Sequence, residues 1–588
     1  MSITDKNGRV LLSQQEIISK YDFSKLVLDK YLPKPVVKSE MGQNGKWKYE
    51  RFWYESDVEQ ALKNPKVIKK VNERKEYIKK AEIANKVKLA LLEYNPENMI
   101  ERAKNLKRAF VLHVGPTNSG KTYTAIKALK ENGNGIYLGP LRLLALEMYD
   151  RINADGIKCS LLTGEESLPV EGAEIVSSTI ELCNFKKHFK VAVIDEAQLI
   201  TDRERGSAWF KAVCQVDADE VHICMAPEAE EIITELVSQF GDPYTVVMHE
   251  RLVPLVYSGK CRGYKDIHDN DAIICFSRKN VLSTAALLEK KGFKASVIYG
   301  ALPPAARRNE VQRYVSGETN IVVATDAIGM GISLPIRRII FAETQKFDGK
   351  ERRFLTPAEV RQIAGRAGRY NMFDLGEVLT MDSNDIVEKG LERKVKSVKK
   401  LCISFPREML LTEYPIETLL GVWQNLPENK IFSRENMQDP LILWSMLKKY
   451  AGNTDRELLF DLITCPVDTK QRELTLYWLN CAVAIISSKP IPEPCFGTTS
   501  LAECEMQYKA YDIHHLLLRT VGIDDDCSYQ RDMICHRIDE LMKQDKSSYI
   551  KRCSSCGKEL PLGFQFNMCE KCYSMQYFYN DAFDFFEF

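Results

Sequence analysis

The chain has 588 residues, of which 45% are hydrophobic and 28% charged, with 82 Lys and Arg against 81 Asp and Glu. This length is too great for one hydrophobic core and predicts three or four domains, while the composition excludes a largely disordered chain. No apolar run approaches the roughly 18 residues of a membrane span. The start, MSITDKNGRV, has neither an apolar signal core nor an arginine-rich leader. It therefore predicts a bacterial-type cytoplasmic protein rather than a mitochondrial one.

The first 108 residues are polar and rich in lysine, and helical spacing runs from Val58 to Tyr94. We expect a mostly helical N-terminal region over 1–108. Its most basic part, 61–108, is either a solvated helical face or a surface that follows nucleic-acid phosphates.

From Phe110, short β-branched runs alternate with helical stretches (FVLHV, GIYLG, AEIVS, VAVID, VHICM). The alternation resumes after Val253 with AIICF, ASVIYG, NIVVAT, RRIIFAE and GEVLTM. This pattern is typical of parallel sheets with crossover helices, so we predict two tandem α/β domains, 109–255 and 256–383. Helical patterns then predict a C-terminal helical domain over 384–548, and the last segment, 549–588, carries two pairs of cysteines and a tail.

The stretch GPTNSGKT lies between the first predicted strand and a predicted helix and matches the phosphate-loop pattern. Glycines let backbone N–H groups face a phosphate, and the helix N-terminus adds its dipole. Lys121 is expected to reach the β- and γ-phosphates of ATP, and Thr122 to bind Mg²⁺. The alternative is a glycine-rich turn without a ligand. The ATP-binding residues predicted here are Gly115, Pro116, Thr117, Asn118, Ser119, Gly120, Lys121 and Thr122.

The run VAVIDEAQ delivers two acids and an amide at the end of a predicted strand. Asp195 is expected to hold Mg²⁺, and Glu196 to orient or deprotonate the attacking water. The alternative is that the two acids cap a helix. The Gln198 amide can both donate and accept a hydrogen bond. We therefore hypothesise a relay through Gln198 from the acidic pair to an arginine-bearing helix in the second domain.

That helix is predicted from RQIAGRAGR, residues 361–369. A helical spacing of three would place Arg366 and Arg369 on one face, where both would offset negative charge on the leaving phosphate. Just before it, ETQKFDGKERRFLT carries Asp348-Gly349 between two arms, which predicts a type I′ hairpin. This hairpin is either a wedge that splits strands or an ordinary surface hairpin.

In order, GPTNSGKT, GPLRLLALE, LLTGEE, SSTIE, DEAQ, FSRK, VATDAIGMGIS and QIAGRAGR resemble the motif series of superfamily 2 helicases. More narrowly, HVGPTNSGKT, DEAQ, DRERGSAW and QIAGRAGR resemble the Suv-three-type RNA helicases of the mitochondrial RNA degradosome. The resemblance implies a RecA-like fold for both α/β domains. It implies catalytic roles for Lys121, Asp195, Glu196, Gln198, Gln362, Arg366 and Arg369, and ATP contacts for Asp326 and Gly329. It implies nucleic-acid contacts for Pro140, Arg142, Thr163, Gly164, Thr179, Ser277, Arg278 and Thr325.

One segment departs from the family pattern. Where relatives carry a small-hydroxyl motif or a Gly-acid-Pro-like turn, this chain has CMAPEA, with Met225 and Ala226. The departure leaves open how hydrolysis is coupled to strand separation through this segment.

The pairs CSSC and CEKC near the C-terminus have the spacing of a zinc ribbon. Cys553, Cys556, Cys569 and Cys572 are the predicted ligands, and four thiolates would complete the shell of a structural Zn²⁺. Neighbouring lysines with Phe564 and Phe566 leave nucleic-acid contact and protein docking both open. The aromatic, acidic end YFYNDAFDFFEF suits a docking tail, or a strand packed on the ribbon.

These patterns predict an ATP-dependent RNA helicase that moves along one strand, 3′→5′ as the resemblance implies, using ATP, Mg²⁺ and Zn²⁺. A DNA helicase is an alternative, because no motif reads a 2′-hydroxyl. A second alternative is an ATP-gated nucleic-acid clamp that recruits a nuclease through the ribbon and tail.

Overall fold

The computed structural model describes residues 3–41, 47–94, 96–329, 334–349, 351–523, 527–544, 546–564 and 566–575. The chain divides into two compact units, one of Met1–Tyr94 with Arg407–Leu426 and one of Asn95–Pro406 with Pro427–Phe588. The predicted aromatic tail, 577–588, lies outside the described residues. Among the described helices, none combines the length and the apolar character needed to cross a membrane.

The first unit combines helices with an antiparallel sheet of strand order β1-β2-β4-β3. Helix α1 begins with a capping box between Ser13 and Glu16. The predicted helical character is present, but the sheet was not predicted, because β3 is exposed along its length and shows no apolar alternation. The elements are β1 (Ile3–Thr4), β2 (Val10–Ser13), α1 (Gln14–Tyr21), α2 (Lys25–Tyr31), β3 (Val36–Met41), β4 (Trp47–Tyr54), α3 (Glu55–Ala61) and α4 (Pro65–Glu93).

The second unit begins with an α/β domain around an eight-stranded sheet of order β12-β5-β11-β10-β6-β9-β7-β8. Its pairs are parallel except for β7 with β8. The central strands are buried on both faces, as crossover helices require. The elements are α5 (Glu97–Ala103), β5 (Ala109–Val114), α6 (Lys121–Asn132), β6 (Gly135–Gly139), α7 (Arg142–Ala154), β7 (Cys159–Leu162), β8 (Ser167–Leu168), β9 (Ile175–Thr179), β10 (Phe189–Ile194), α8 (Gly206–Gln215), β11 (Ala218–Met225), α9 (Glu230–Ser238) and β12 (Tyr244–Met248).

A second α/β domain follows, with a six-stranded parallel sheet of order β13-β20-β17-β14-β16-β15. All five apolar runs predicted as strands form it, together with β13, so the prediction of two tandem parallel-sheet domains is confirmed. The elements are β13 (Leu255–Lys260), β14 (Asp271–Ile274), α10 (Arg278–Glu289), β15 (Ala295–Ile298), α11 (Pro304–Val315), β16 (Ile321–Ala324), β17 (Arg338–Phe341), β18 (Gln345–Phe347), β19 (Arg352–Phe354), α12 (Pro357–Ala364), β20 (Gly376–Thr380) and α13 (Ile386–Glu392).

Strands β18 and β19 form the predicted hairpin, but its turn differs from the prediction. Phe347 pairs with Arg352, which leaves a four-residue loop, 348–351, instead of a two-residue type I′ turn. The loop is closed by the Asp348 N–H, which donates to the carbonyl of Glu351 at 3.0 Å. Its residue 350 lies outside the described part of the chain.

The remaining elements are mostly helical. They are β21 (Leu401–Ile403), α14 (Ile416–Asn425), β22 (Phe432–Arg434), α15 (Gln438–Leu447), α16 (Arg456–Ile463), α17 (Arg472–Ile486), α18 (Leu501–Thr520) and α19 (Ser528–Lys543). Helix α14 packs on α4 within the first unit, although the sequence assigned it to the C-terminal helical domain. Helix α18 packs between α17 and α19. Its Cys504 and Tyr508 join the hydrophobic cluster of the second sheet, so this helix is fixed to that domain.

Candidate active site

The phosphate loop joins β5 to α6 in a backbone conformation that suits its residues. Asn118 and Gly120 have φ of 64° and 82°, in the left-handed region that Asn and Gly tolerate best. A Cβ on Gly115 would lie 2.4 Å from the carbonyl oxygen of His249, so this close approach requires glycine. The Lys121 ammonium donates to the Gly115 carbonyl at 2.6 Å and therefore lies within the curve of the loop.

Thr122 and Asp195 meet at the carboxyl edge of the sheet, as the motif spacing predicts. The Thr122 hydroxyl lies 3.1 and 3.2 Å from the two carboxylate oxygens of Asp195. The buried Tyr137 hydroxyl donates to the same carboxylate at 3.0 Å, and the Trp209 indole donates to the Asp195 carbonyl at 3.0 Å. Burial, with the adjacent Glu196 charge, raises the pKa of Asp195 to about 6.

This donor set fits a hard divalent cation. A hydroxyl and a carboxylate are oxygen ligands of the kind Mg²⁺ prefers, and they lie beside the phosphate loop. Burial removes solvent from the Asp195 carboxylate and raises its pKa, and a divalent cation would stabilise its charged form.

The Gln198 side chain forms two hydrogen bonds, one on each side of its amide. Its amide N–H₂ donates to the Glu196 carboxylate, and its amide oxygen accepts from the Ala226 N–H at 3.1 Å. Both partners belong to the first domain, and the relay to the arginine-bearing helix stays a hypothesis. The two bonds join the acidic pair to the CMAPEA segment, whose Glu228 carbonyl accepts from the N–H of Val398 at 2.9 Å.

On the second domain, the predicted helix ends too early to carry both arginines. Helix α12 ends at Ala364, and Gly368 has φ of 69°, so Arg366 and Arg369 lie in a turn rather than on one helical face. Arg366 donates to the Gly329 carbonyl at 2.7 Å. A Cβ on Gly329 would lie 3.5 Å from the Gln362 side chain, so these three predicted residues are neighbours.

The two domains meet across the nucleotide cleft. The Asn118 amide donates to the Gly368 carbonyl at 2.7 Å. Burial lowers the pKa of Lys121, the Glu196 carboxylate opposes this, and the nearby charge of Arg366 lowers it further. The bond from Asn118 to Gly368 places the turn that carries Arg366 against the phosphate loop.

Three histidines line the sheet beneath the phosphate loop. The His113 ring nitrogens lie 3.0 Å from His249 Nε2 and 2.9 Å from His222 Nδ1. Burial is the main cause that lowers the pKa of all three, and it brings that of His113 to about 4. The rings are therefore neutral near pH 7.

In the first domain, the predicted nucleic-acid residues lie against the C-terminal helices. Arg142 pairs with Glu165 and lies 3.5 Å from Asp512 of α18. Arg531 of α19 donates to the Glu165 carbonyl at 2.7 Å, and Tyr508 donates to its carboxylate at 3.1 Å.

The second domain repeats this arrangement. Arg278, at the start of α10, pairs at 3.1 Å with Glu505 of α18, which also accepts from the Tyr299 hydroxyl at 2.7 Å. Glu505 and Asp512 are seven residues apart, so both lie on one face of α18. One helix therefore holds a predicted phosphate-binding arginine from each α/β domain.

The other predicted contacts have local roles. The Thr163 hydroxyl accepts from the Glu166 N–H at 3.0 Å, and Gly164 lies beside the Arg142 guanidinium. Ser277 caps α10, and the Thr325 hydroxyl accepts from the Ala327 N–H at 3.2 Å. Pro140 offers its carbonyl to Arg205, Thr179 is buried at the end of β9, and Asp326 pairs with Lys346 at 3.1 Å.

The four predicted zinc ligands form one cluster. The sulfur atoms of Cys553, Cys556, Cys569 and Cys572 all lie within 4.8 Å of one another. The Cys556 and Cys569 sulfurs are 3.8 Å apart, which matches the roughly 3.8 Å edge of a tetrahedron with Zn–S bonds of about 2.3 Å. Backbone N–H groups of Cys556 and Cys569 lower the pKa of Cys553 to about 6.

The sequence of this chain is similar to those of known helicases. A family model for the DEXQ-box helicase domain of Suv3 matches residues 96–249, and the helicase conserved C-terminal domain matches 257–371. The mitochondrial ATP-dependent RNA helicase DExH16 of Arabidopsis thaliana is 36% identical over 389 residues, 63% of this chain and 67% of the relative. The chain belongs to the Suv3 family of helicases. Membership makes it an ATP-dependent enzyme of the helicase type.

Two further relatives extend this comparison. Mitochondrial SUV3 of Saccharomyces cerevisiae is 36% identical over 60% of this chain and 50% of its own length. Mitochondrial SUPV3L1 of Danio rerio is 34% identical over 67% of this chain and 54% of its own length. The chain thus spans about half the length of these two Suv3 relatives.

The predicted cytoplasmic localisation is wrong, because these relatives are all named as mitochondrial proteins. The prediction rested on the composition of the first ten residues. That composition does not decide the compartment of a Suv3-family protein.

Motif reasoning missed two residues of the nucleotide cleft. Tyr137 reaches Asp195 from β6, and its one signal is an aromatic hydroxyl in the otherwise apolar run GIYLG. Arg251 lies between β12 and β13 and contacts both domains. No motif marks Arg251 in the sequence.

Proposed function

We propose that this Suv3-family enzyme is an ATP-driven RNA helicase that moves 3′→5′ along one strand and separates duplex RNA. The main support is the cleft in which the Thr122–Asp195 pair and the phosphate loop face the turn that carries Arg366. Opening and closing of such a cleft converts hydrolysis into movement along a strand. The polarity rests on the family resemblance alone.

Each side chain of the cleft has a proposed role in hydrolysis. Lys121 holds the β- and γ-phosphates, and Glu196 orients the attacking water and accepts its proton. Thr122 and Asp195 would hold Mg²⁺, which supplies positive charge against the phosphates when bound. Arg366 stabilises the charge that develops on the γ-phosphate.

Contacts on both α/β domains support a strand-binding face. Arg142 and Arg278 belong to motifs that related helicases use on the nucleic-acid backbone, and both lie along α18. The hairpin of β18 and β19 is proposed as the strand-separating wedge. Its Lys346 pairs with both Asp326 and Glu359, so the hairpin is tied to a nucleotide-cleft segment and to α12.

The four-cysteine cluster is proposed to bind one structural Zn²⁺. Metal analysis of the purified chain should find one zinc per molecule, and Cys556→Ser should lose it while Cys495→Ser, at an exposed cysteine outside the cluster, should keep it. We also propose that a nuclease partner docks on the segment that carries this cluster.

A strand-displacement assay on matched duplexes tests the proposed function. RNA and DNA duplexes with 3′ or 5′ tails are offered with ATP, and ATP hydrolysis is measured in parallel. We expect displacement of the 3′-tailed RNA duplex alone. Displacement of DNA with equal rate would identify a DNA helicase, and RNA-stimulated hydrolysis without displacement would identify a clamp.

A further inference from the structure

Arg251 spans the two α/β domains from the connection between them. Its guanidinium donates to the Thr117 carbonyl of the phosphate loop at 3.0 Å and to the Gly365 carbonyl at 2.8 Å. It also donates to the carbonyls of Ala367 and, at 2.7 Å, of Val253. One side chain therefore joins the nucleotide loop to both sides of Arg366.

This arginine is satisfied by carbonyl oxygens alone. No ion pair to it occurs within the described part of the chain, and burial lowers its pKa to about 10. It therefore stays charged at neutral pH. Arg251 is half-buried, and a charge held there without a carboxylate is costly unless its nitrogens are hydrogen-bonded. All three guanidinium nitrogens donate to carbonyl oxygens, a geometry that a lysine ammonium cannot reproduce.

The packing around Arg251 is close. A Cβ on Gly365 would lie 2.7 Å from Cβ of Thr117, so the turn after α12 touches the phosphate loop directly. The amide of Asn118 binds the Gly368 carbonyl on the other side of the turn. Arg251 is thus the charged member of a contact that fixes the turn against the loop.

We propose that Arg251 is a positioning residue, which sets Arg366 over the γ-phosphate by holding residues 365–367 against the phosphate loop. This inference rests on the proposed ATPase function of the cleft. The connection between the domains then helps to assemble the active site and does more than link the two domains. A misplacement of about 1 Å at a reacting centre can cost roughly a hundredfold in rate.

ATPase kinetics of the full chain with RNA test this role. Arg251→Gln is expected to lower kcat about tenfold to a hundredfold, with KM for ATP changed less than about threefold, because the phosphate loop itself is intact. Arg251→Lys should recover part of kcat. The affinity for ADP with aluminium fluoride should fall more than the affinity for ADP, since the mimic of the transferred phosphoryl group engages Arg366.

Arg108→Lys is the matched control. Arg108 is a buried arginine that, like Arg251, donates to backbone carbonyls, those of Val213 at 2.9 Å and Val216 at 3.1 Å, but all within the first domain. The Arg108→Lys substitution should lower the melting temperature and leave kcat within about twofold. If folded Arg251→Gln keeps the kcat of the unsubstituted chain and, like Arg108→Lys, lowers only the melting temperature, the positioning role is overturned.

The two hypotheses fail in different ways. An unsubstituted chain that binds ATP but does not hydrolyse it overturns the proposed function and, with it, the positioning role. A hydrolysing chain in which Arg251→Gln and Arg251→Lys are both fully active overturns the positioning role alone.

Discussion

The nucleotide cleft and the predicted strand-binding face are built in different ways. In the cleft, motif residues contact one another: Thr122 lies against Asp195, and Arg366 donates to Gly329. On the strand-binding face, Arg142 and Arg278 contact acids on α18, a helix outside the motif series. Motif residues therefore make most contacts in the cleft, with Tyr137 and Arg251 added, whereas the charge available to RNA depends on a helix that no motif marks.

The largest expected effect comes from the cleft. Lys121→Ala should lower ATP turnover by about a thousandfold or more, because no other described side chain holds an ammonium within the loop. RNA affinity measured without nucleotide should be unchanged, since Arg142 and Arg278, the arginines paired with α18, lie outside the phosphate loop. Lys127→Ala, an exposed lysine on the same helix, is the control and should hydrolyse normally. Retained hydrolysis in Lys121→Ala would remove the ATP site from this loop.

The contrast between the two regions also shows which contacts could be predicted from the sequence. Strand ends, glycines and the acidic pair follow local rules, so the sequence was sufficient for the Thr122–Asp195 contact and for both parallel sheets. The helix end before Arg366 was missed, because it depends on the backbone at Gly365 and Gly368. The pairing of Arg278 with Glu505 was beyond reach, since it depends on how α18 packs on the second sheet.

The second prediction concerns the histidines under the loop. The pKa of His113 is lowered to about 4, below the 6.5 of an unfolded histidine. Between those values the unfolded chain binds a proton that the folded chain does not, so stability is lost as pH falls from about 6.5 toward 4. The full difference is about 3 kcal/mol. Urea unfolding across this range should show a shallower acid loss in His113→Asn.

His188 provides a control of opposite sign. It is exposed, and its hydrogen bond to Asp217 raises its pKa. Its contribution is therefore present below the unfolded pKa and is lost as pH rises through the folded one. His188→Asn should leave the acid loss of stability in place. An identical acid profile in His113→Asn and the unsubstituted chain would exclude His113 as its cause.

The third prediction tests the strand-binding face. In the double variant of Glu505→Gln and Asp512→Asn, Arg142 and Arg278 lose their partners on α18, and RNA affinity should rise about tenfold with a steeper salt dependence. Glu540→Gln, a surface acid on α19, is the control. A fall in RNA affinity would show that the acids hold the arginines toward RNA rather than away from it.

The smallest effect is expected at Gln198, which connects the cleft to the CMAPEA segment. Its amide bonds the Glu196 carboxylate and the Ala226 N–H, and the same segment bonds the connection to the helical domain at Val398. This is a physical route from the acidic pair to the connection that leads into the helical domain. Couplings of this kind are worth about 0.5–2 kcal/mol, so Gln198→Ala should lower unwinding about threefold or more while hydrolysis stays within about twofold. Gln198→Glu keeps the acceptor for Ala226 but places a second carboxylate beside Glu196, and it should lower hydrolysis as well. If Gln198→Ala changes neither rate, the cleft and the strand-binding face communicate by another path, and Gln198 is a family marker only.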